Sequence, residues 1–392
     1  MRWRRCPHPA IAYDGGMDGT RTAAAAGSAD GSAPFGLYVH YPYCRVRCSY
    51  CDFPIAIARG EPPHRDYLAA VVAELDRRAP TFAGRRLVSV YFGGGTPSLW
   101  PPECIAQVVA AARARFGGAA LREVTLEANP TDCTPERIAA WRAAGVDRLS
   151  IGVQSLDPGE LATLGRDHRH GDGEAAVRTA LAAGMPRVSA DVILGTPGGR
   201  GPGVRRIAAI DPGHISVYEL TIEPRTPLAA AVRRGALQPL SDDALAEAYE
   251  RVHSVLTARG YEHYEVSSYA RPGHRAVHNS LYWQGAEFLG VGAGAASFWR
   301  TPAGGVRETN PRSVVAYLRG KPPDRVELSA GDVERDRLWL GLRTADGVAG
   351  APRALADRLV GAGLARVDGD RILPTLRGFL FADRVARWVV EG

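Results

Sequence analysis

The sequence predicts an α/β fold: a partial (β/α)6 barrel followed by a winged-helix-like α+β module at the C-terminus. Between residues 37 and 220, runs of branched and aromatic residues alternate with stretches of helical periodicity. This alternation is typical of successive βα units in a parallel sheet. After about residue 326 the pattern changes to helices around a short hairpin. Six βα units are too few for a complete eight-stranded barrel, so we expect an open one.

The predicted elements follow the chain in order. Strands are expected at residues 37–41, 87–92, 123–128, 148–153, 187–194 and 214–220. Helices are expected at 64–78 and 102–115, from residue 135, and in the tail at 333–342, 352–362 and 375–390 around a hairpin of 364–367 and 371–374. These elements divide the chain into a disordered leader at 1–33, a barrel at 34–260, a connecting segment at 261–325 and the C-terminal module at 326–392.

The bulk composition is that of an ordinary globular protein, with 392 residues, 45% of them hydrophobic and 23% charged. The net charge of +6 is scattered rather than gathered in basic blocks, so we expect no nucleic-acid partner. No apolar run reaches the length of about 18 residues that a membrane-spanning helix needs, although peripheral membrane contact stays open. The leader lacks the apolar region of a signal peptide, which predicts a cytoplasmic protein.

Three of the six cysteines are crowded into the loop after the first predicted strand. Cys44, Cys48 and Cys51 have the spacing Cys-x3-Cys-x2-Cys. Three thiolates on a short loop can each bind one iron of a [4Fe–4S] cluster and leave the fourth iron open for a small molecule. The spacing alone also allows a zinc site with His40 or Cys133 as the fourth ligand.

Polar residues and glycines follow several later strands, where the chemistry of parallel barrels is found. A glycine-rich turn runs from Gly93 to Pro97, and Glu127, Gln154, Arg166 and Asp191 come at or near later strand ends. Glycines let backbone groups approach a ligand closely, and a carboxylate can accept hydrogen bonds from a ribose diol. Each residue also has an ordinary alternative: a tight turn, a helix cap or a salt bridge.

The cysteine loop with Tyr38, His40, Pro42 and Tyr50 around it resembles the signature of radical S-adenosylmethionine (SAM) proteins. The chain is similar to the radical SAM family that holds oxygen-independent coproporphyrinogen III oxidase and the HemW-type haem chaperones. The resemblance implies a partial radical SAM barrel in which Cys44, Cys48 and Cys51 bind the [4Fe–4S] cluster. It implies SAM contacts from Tyr38, Tyr50, Gly94, Gly95, Thr96, Glu127, Gln154, Arg166 and Asp191, and from the backbone of Thr221.

Two features separate the branches of this family. The oxidase branch has a further cysteine two residues after the third one, where this chain has Phe53. The chaperone branch resembles His-Asn-x-x-Tyr-Trp, which this chain matches from His278 to Trp283. A neutral imidazole is a good axial ligand for haem iron, so the resemblance favours His278 as the haem ligand. The alternative is a hydrogen-bonded histidine packed by Tyr282 and Trp283.

The leading hypothesis is a haem chaperone that binds haem and delivers it to an acceptor apoprotein. One alternative is an oxygen-independent coproporphyrinogen III oxidase, and another is a radical SAM C-methyltransferase of secondary metabolism. Ala296 stands where the family has a histidine, which keeps the last alternative open. The expected partners are haem or a porphyrinogen, the acceptor, and a flavodoxin or ferredoxin as reductant. We assign no catalytic residue, and whether the chain is an enzyme stays open.

Overall fold

The structure is a computed structural model that describes residues 32–391. The predicted leader therefore lies outside the described residues, apart from its last two positions. The strands in this part of the chain are β1 (Pro34–Tyr41), β2 (Tyr43–Cys44), β3 (Ala56–Ile57), β4 (Arg86–Gly94), β5 (Glu123–Ala128), β6 (Arg148–Gln154), β7 (Arg187–Leu194), β8 (His214–Glu219), β9 (Glu262–Glu265), β10 (Ser268–Ala270), β11 (Glu287–Val291), β12 (Ala296–Thr301), β13 (Gly304–Thr309), β14 (Asp324–Ser329), β15 (Val348–Ala349), β16 (Ala365–Asp368) and β17 (Arg371–Pro374). All six predicted barrel strands are present, with small shifts at their ends.

The helices pack mainly around the large sheet. In the described residues they are α1 (His64–Arg78), α2 (Pro102–Phe116), α3 (Pro135–Ala143), α4 (Pro158–Leu164), α5 (Asp172–Ala182), α6 (Val204–Ile210), α7 (Pro227–Arg233), α8 (Asp242–Thr257), α9 (Val277–Trp283), α10 (Val314–Leu318), α11 (Ala330–Gly341), α12 (Arg353–Gly361), α13 (Leu376–Leu380) and α14 (Ala382–Glu391). Side-chain caps set several helix starts, because Thr134, Asp157 and Ser241 each accept a hydrogen bond from a first-turn backbone N–H. None of these helices is both long and apolar enough to cross a membrane.

One sheet of 12 strands organises the molecule, in the order β14-β13-β12-β11-β1-β4-β5-β6-β7-β8-β10-β9. The strands from β11 to β8 in this order run parallel to their neighbours, and antiparallel strands extend the sheet at both edges. The predicted partial α/β barrel is thus confirmed. The sequence did not predict β9 to β14. These strands pair into the same sheet, although β9 to β13 lie in the predicted connecting segment and β14 spans its end.

Helix α9 closes the barrel at the amino-terminal ends of its strands. Glu123, the first residue of β5, accepts hydrogen bonds from the backbone N–H of Val277 and of His278, both at 2.9 Å. The α9 side chains reach inward, and the imidazole of His278 lies against Gly36 of β1. The chain therefore fills the barrel floor with the predicted His-Asn-x-x-Tyr-Trp segment.

The C-terminal module contains the predicted hairpin, β16 and β17, which forms a three-stranded sheet with β15. Its helices pack around a small core of their own, which includes Leu359 and Ile372. The single helix expected at 375–390 is instead two helices, α13 and α14, separated at Phe381, whose φ of −110° is not helical. The predicted boundary between 325 and 326 falls inside β14, which belongs to the barrel sheet.

Candidate functional site

The cysteine loop leaves the carboxyl end of β1 and is held by backbone hydrogen bonds on both sides. The N–H of Gly95 donates to the carbonyl of Tyr41 at 2.8 Å, and the N–H of Thr96 donates to Tyr43 at 3.0 Å. Farther along, the N–H of Ser49 donates to Leu164 at the end of α4 at 2.9 Å. The predicted cluster loop and the predicted glycine-rich turn are therefore direct neighbours at one end of the barrel.

The three thiols of this loop are free cysteines, with Cys44 buried and Cys48 and Cys51 partly exposed. Burial raises the pKa of Cys44 to about 12. Within residues 32–391, no three histidine, cysteine or acidic side chains lie close enough to hold one metal ion. Each thiolate ligand of a cubane binds a different iron, so three free thiols on one short loop suit a [4Fe–4S] cluster with its fourth iron left open.

The glycine-rich turn packs tightly against β1 and the cysteine loop. A Cβ atom on Gly94 would lie 2.5 Å from the His40 ring, and the φ of Gly94 is +114°. A Cβ on Gly95 would lie 2.7 Å from the backbone of Pro42. The glycines are therefore required by close packing of this turn on its neighbours, in addition to any role in approaching a ligand.

Glu127 lies at the carboxyl end of β5, beside the glycine-rich turn. Its carboxylate accepts hydrogen bonds from the hydroxyl of Tyr91 at 2.8 Å and from the backbone N–H of Gly94 at 3.1 Å. Burial raises the pKa of Glu127 to about 7, although both hydrogen bonds act in the opposite direction. This carboxylate can accept further hydrogen bonds, as a ribose diol would require.

Gln154 and Arg166 complete the rim around the cysteine loop. Gln154 has a φ of +61° where the pairing of β6 with β7 is interrupted, an uncommon backbone conformation for a residue other than glycine. The guanidinium of Arg166 donates to the sulfur of Cys48 at 3.4 Å, to the carbonyl of Gly152 at 3.1 Å and to the side chain of Asn129 at 2.6 Å. Residues in strained backbone conformations, such as Gln154, cluster at functional sites.

Asp191 lies deeper inside the barrel, on β7, and is 9% exposed. It accepts hydrogen bonds from the hydroxyls of Ser150 at 2.5 Å and Ser189 at 2.8 Å. Burial raises the pKa of Asp191 above its ordinary value, against these hydrogen bonds. The serines satisfy a carboxylate that would otherwise be costly to bury.

Three other predicted SAM residues, Tyr38, Tyr50 and Thr96, also lie in the barrel interior, in the cysteine loop or beside it. The hydroxyl of Tyr38 is 3.0 Å from a ring nitrogen of His40 in the barrel interior, whereas Tyr50 lies in the cysteine loop near Arg166. Thr96 is buried in the glycine-rich turn and lies near Cys44. Thr221 is an exposed residue in the loop after β8. The structure thus brings the predicted SAM residues, Thr221 apart, to the mouth and upper interior of the barrel.

His278 lies instead at the barrel floor, where it is 1% exposed. One ring nitrogen is 2.8 Å from the hydroxyl of Ser89, and the other is 2.9 Å from the hydroxyl of Tyr282. Burial lowers the pKa of His278 to about 3, so the ring is neutral. Its ring stacks on Tyr91, with 5.0 Å between centroids, and Tyr91 in turn binds Glu127. In this arrangement, neither nitrogen is free for haem iron.

Several residues of the site were missed by the sequence reasoning. Tyr91 holds Glu127, and Asn129 holds Arg166. Asp132, 2% exposed, joins the cysteine loop to the segment after β5 through Arg45. The signal available for Asn129 and Asp132 was their position directly after a strand whose last polar residue, Glu127, was already a candidate.

Comparison with known proteins agrees with this geometry. Residues 38–200 match the family model of the radical SAM superfamily. The fold and the site therefore define a radical SAM protein, and this class implies a [4Fe–4S] cluster and SAM as cofactors. The chain is also 40% identical over 372 residues to the haem chaperone HemW of Mycobacterium tuberculosis, covering 90% of this chain and 94% of that protein. The chain belongs to the HemW family of radical SAM proteins.

Two further comparisons extend this result. The haem chaperone HemW of Escherichia coli is 36% identical over 294 residues, which cover 74% of this chain and 76% of that protein. The solved structure of coproporphyrinogen III oxidase from Escherichia coli, a radical SAM enzyme, matches with a TM-score of 0.76 and covers 91% of this chain and 90% of that one. At 23% identity, this second match establishes the fold alone.

Proposed function

We propose that this chain is a haem chaperone that binds haem and passes it to an acceptor apoprotein. The observation that carries the proposal is the 40% identity to a haem chaperone over nearly the whole of both chains. Phe53 supports it, since it stands where the oxidase branch has its additional cysteine. The cluster and SAM, when bound, would supply the redox chemistry, and the chain would hold them in position.

The residues at the barrel mouth supply the cofactor site in this proposal. Cys44, Cys48 and Cys51 hold the cluster, and Arg166 lies against the sulfur of Cys48 with a positive charge that offsets the thiolates. Glu127 accepts hydrogen bonds from the SAM ribose. Asp191, beneath it, presents a carboxylate whose serine partners fix its orientation. The remaining SAM contacts come from Tyr38, Tyr50, Gly94, Gly95, Thr96 and Gln154.

Haem binding through His278 requires this buried ring to become accessible and one of its nitrogens to lose its present hydrogen-bond partner. The ring nitrogen next to Tyr282 is the one that can be released by rotation of a single side chain, whereas the other lies against Ser89 in the sheet. We therefore propose that haem takes the place of the Tyr282 hydroxyl at this nitrogen. A flavodoxin or ferredoxin would supply electrons to the cluster, and the oxygen-sensitive cluster and free thiols favour the cytoplasm as compartment.

A haem titration of the anaerobically reconstituted chain, followed by the Soret band, tests this function. We expect saturable one-to-one binding by the wild type and binding at least about tenfold weaker in His278→Ala, because the coordinate bond from the imidazole nitrogen to the haem iron is lost. Tyr282→Phe is the matched control: it leaves the imidazole in place and removes the hydroxyl that occupies it, so haem binding is retained or strengthened.

Transfer is tested separately by mixing the haem-loaded chain with an apo-haemoprotein and following the acceptor spectrum. Absence of saturable haem binding in the wild type contradicts the chaperone function. Binding that is equal in the wild type and in His278→Ala contradicts only the assignment of the ligand. Formation of protoporphyrinogen from coproporphyrinogen III with SAM consumption would instead establish the oxidase alternative.

A further inference from the structure

A buried carboxylate outside the predicted cofactor residues joins three loops of the SAM site. Asp132 follows β5 and is 2% exposed. One of its oxygens accepts hydrogen bonds from Arg45 at 2.9 Å and from Arg137 at 3.2 Å, and the other accepts from the hydroxyl of Ser98 at 2.7 Å. Arg45 directly follows the cluster cysteine Cys44, and Ser98 directly follows the glycine-rich turn.

The same connections continue to the other end of the cysteine loop. The hydroxyl oxygen of Ser98 also accepts a hydrogen bond from the backbone N–H of Asn129 at 3.2 Å. The side-chain oxygen of Asn129 accepts from Arg166 at 2.6 Å, and Arg166 donates to the sulfur of Cys48 at 3.4 Å. A chain of hydrogen bonds therefore runs from Arg45 through Asp132, Ser98, Asn129 and Arg166 to Cys48, and the backbone of residues 45–48 closes it into a ring.

The burial and charges of this ring suit a role in fixing the conformation of the cysteine loop. The Asp132 carboxylate is nearly inaccessible to solvent, whereas the side chains of Arg45 and Arg137 are 50% and 33% exposed. The buried anion therefore lies beneath the two arginines, which cover it on the solvent side. Charge-assisted hydrogen bonds are shorter and stronger than neutral ones, and a buried acceptor is costly to leave unpaired. Ser98 is fully buried and receives a second contact from Arg137 at its carbonyl.

We propose that Asp132 is a positioning residue of the SAM site: it holds the first half of the cysteine loop in register with the glycine-rich turn and with Asn129 and Arg166. Among the hydrogen bonds of the described residues, the side chain of Asp132 has none to the three cluster cysteines or to the predicted SAM residues. It acts through Arg45 on one side and through Ser98 and Asn129 on the other. The inference rests on the radical SAM class of the chain and does not depend on haem.

The test is Asp132→Asn in the full-length chain, reconstituted anaerobically. Iron and sulfide content should stay at the wild-type level, because all three thiols are present. The SAM Kd, measured by equilibrium dialysis, should rise about tenfold, as expected for the loss of a charge-assisted hydrogen-bond network. The change that SAM causes in the EPR spectrum of the dithionite-reduced cluster should weaken, which a general loss of stability would not produce in folded protein.

Asp147→Asn is the matched control. Asp147 also pairs with an arginine, Arg187 at 2.8 Å, and also accepts a backbone N–H, from Val124 at 2.9 Å, but it lies before β6 at the opposite end of the barrel. Its SAM Kd should stay within about twofold of the wild type. An equal loss of SAM affinity in both variants would overturn the proposal, as would an unchanged SAM Kd in folded Asp132→Asn.

Arg45→Gln covers the case in which Asp132→Asn does not fold. The Arg45 side chain is half exposed, so its replacement is tolerated by the fold, yet it removes the link between Asp132 and the cysteine loop. We expect a smaller rise in the SAM Kd in the same direction. A wild-type SAM Kd and EPR response in Arg45→Gln would contradict the proposal. Because neither measurement involves haem, failure here leaves the proposed chaperone function unaffected, and the reverse also holds.

Discussion

At the scale of single residues, Glu127 is the acidic group whose environment most directly predicts a pH dependence. Burial raises its pKa to about 7, so it carries a proton in a large fraction of molecules at neutral pH. If the carboxylate form accepts the SAM ribose hydroxyls, SAM binding must be accompanied by loss of this proton below pH 7. Affinity for SAM therefore falls as pH decreases, because the binding-competent form becomes the minor one.

We expect the SAM Kd to be about tenfold higher at pH 6 than at pH 8, since one pH unit below the pKa leaves roughly a tenth of the groups ionised. In Glu127→Gln, the SAM Kd at pH 8 should be higher than that of the wild type, and it should change little between pH 6 and pH 8. Equilibrium dialysis of the reconstituted chain measures both. A wild-type Kd that does not change between pH 6 and pH 8 would exclude an ionised Glu127 as a SAM contact.

Gly94 gives a second prediction at this scale. Gly94→Ala places a Cβ 2.5 Å from the His40 ring at a φ of +114°, so it adds a steric clash to an unfavourable backbone conformation. Gly84→Ala is the matched control, because its φ of +76° is also unfavourable, but no atom lies within 4 Å of the added Cβ. We expect Gly84→Ala to lower the free energy of unfolding by about 1–2 kcal/mol, and Gly94→Ala by clearly more. Urea denaturation compares the two, and equal losses would contradict the close packing of this turn.

The sequence predicted the individual site residues better than their connections. Glu127 and Gln154 could be found because a polar residue at the end of a buried strand is conspicuous, and Asp191 because a charged residue inside one is. Asp132 and Ser98 could not, because short polar residues in loops are usually caps and turns, and nothing in their spacing shows which partners they meet. For His278 the sequence favoured a haem ligand and left a hydrogen-bonded histidine packed by Tyr282 and Trp283 as the alternative. Sequence cannot tell which way a helix as short as α9 faces, and here the helix turns its histidine into the barrel.

At the scale of elements, the parallel strands were predictable and the added edge strands were not. Strands such as β7, buried on both faces, are rich in branched apolar residues, and this composition reveals them in the sequence. The edge strand β14 is largely exposed and carries charged residues, so its sequence resembles a loop. Its place is decided by pairing with β13, which is a tertiary effect. For the same reason, the module boundary that the sequence predicted between residues 325 and 326 falls inside β14, a strand of the barrel sheet.

The attachment of α9 to the barrel floor leads to a prediction about Glu123. This fully buried carboxylate accepts the backbone N–H groups of Val277 and His278. Glu123→Ala leaves both donors unpaired in the interior, so the free energy of unfolding should fall by about 3 kcal/mol. Glu327→Ala is the control: its side chain is 76% exposed and pairs only with Arg325 among the described ion pairs, so a change of at most about 1 kcal/mol is expected. A loss of similar size in both variants, measured by urea denaturation, would show that Glu123 does not anchor α9.

At the scale of the whole molecule, the barrel and the C-terminal module share a hydrophobic core although the module also has its own. Phe379 and Ala382 belong to the large cluster of buried residues that fills the barrel, and the Phe379 ring lies 5.8 Å from the His263 ring on β9. Backbone hydrogen bonds add to this contact, because the N–H of Val266 donates to Arg343 and the N–H of Ala345 donates to Tyr264. The module is therefore coupled to the strand edge from which the chain leads into α9.

We expect this coupling to make the chain unfold in one calorimetric transition and to depend on Phe379. Phe379→Ala removes a side chain that is 2% exposed at the junction, which should cost about 3–5 kcal/mol and separate the melting of the module from that of the barrel. Leu359→Ala is the matched control, because Leu359 is fully buried within the module's own core. It should lower the melting temperature of the module without removing the contact to the barrel. Differential scanning calorimetry distinguishes the variants. Two resolved transitions in the wild type would show that the barrel and the C-terminal module unfold independently. A single unchanged transition in Phe379→Ala would show that the coupling lies elsewhere, in the backbone hydrogen bonds around Arg343 and Ala345.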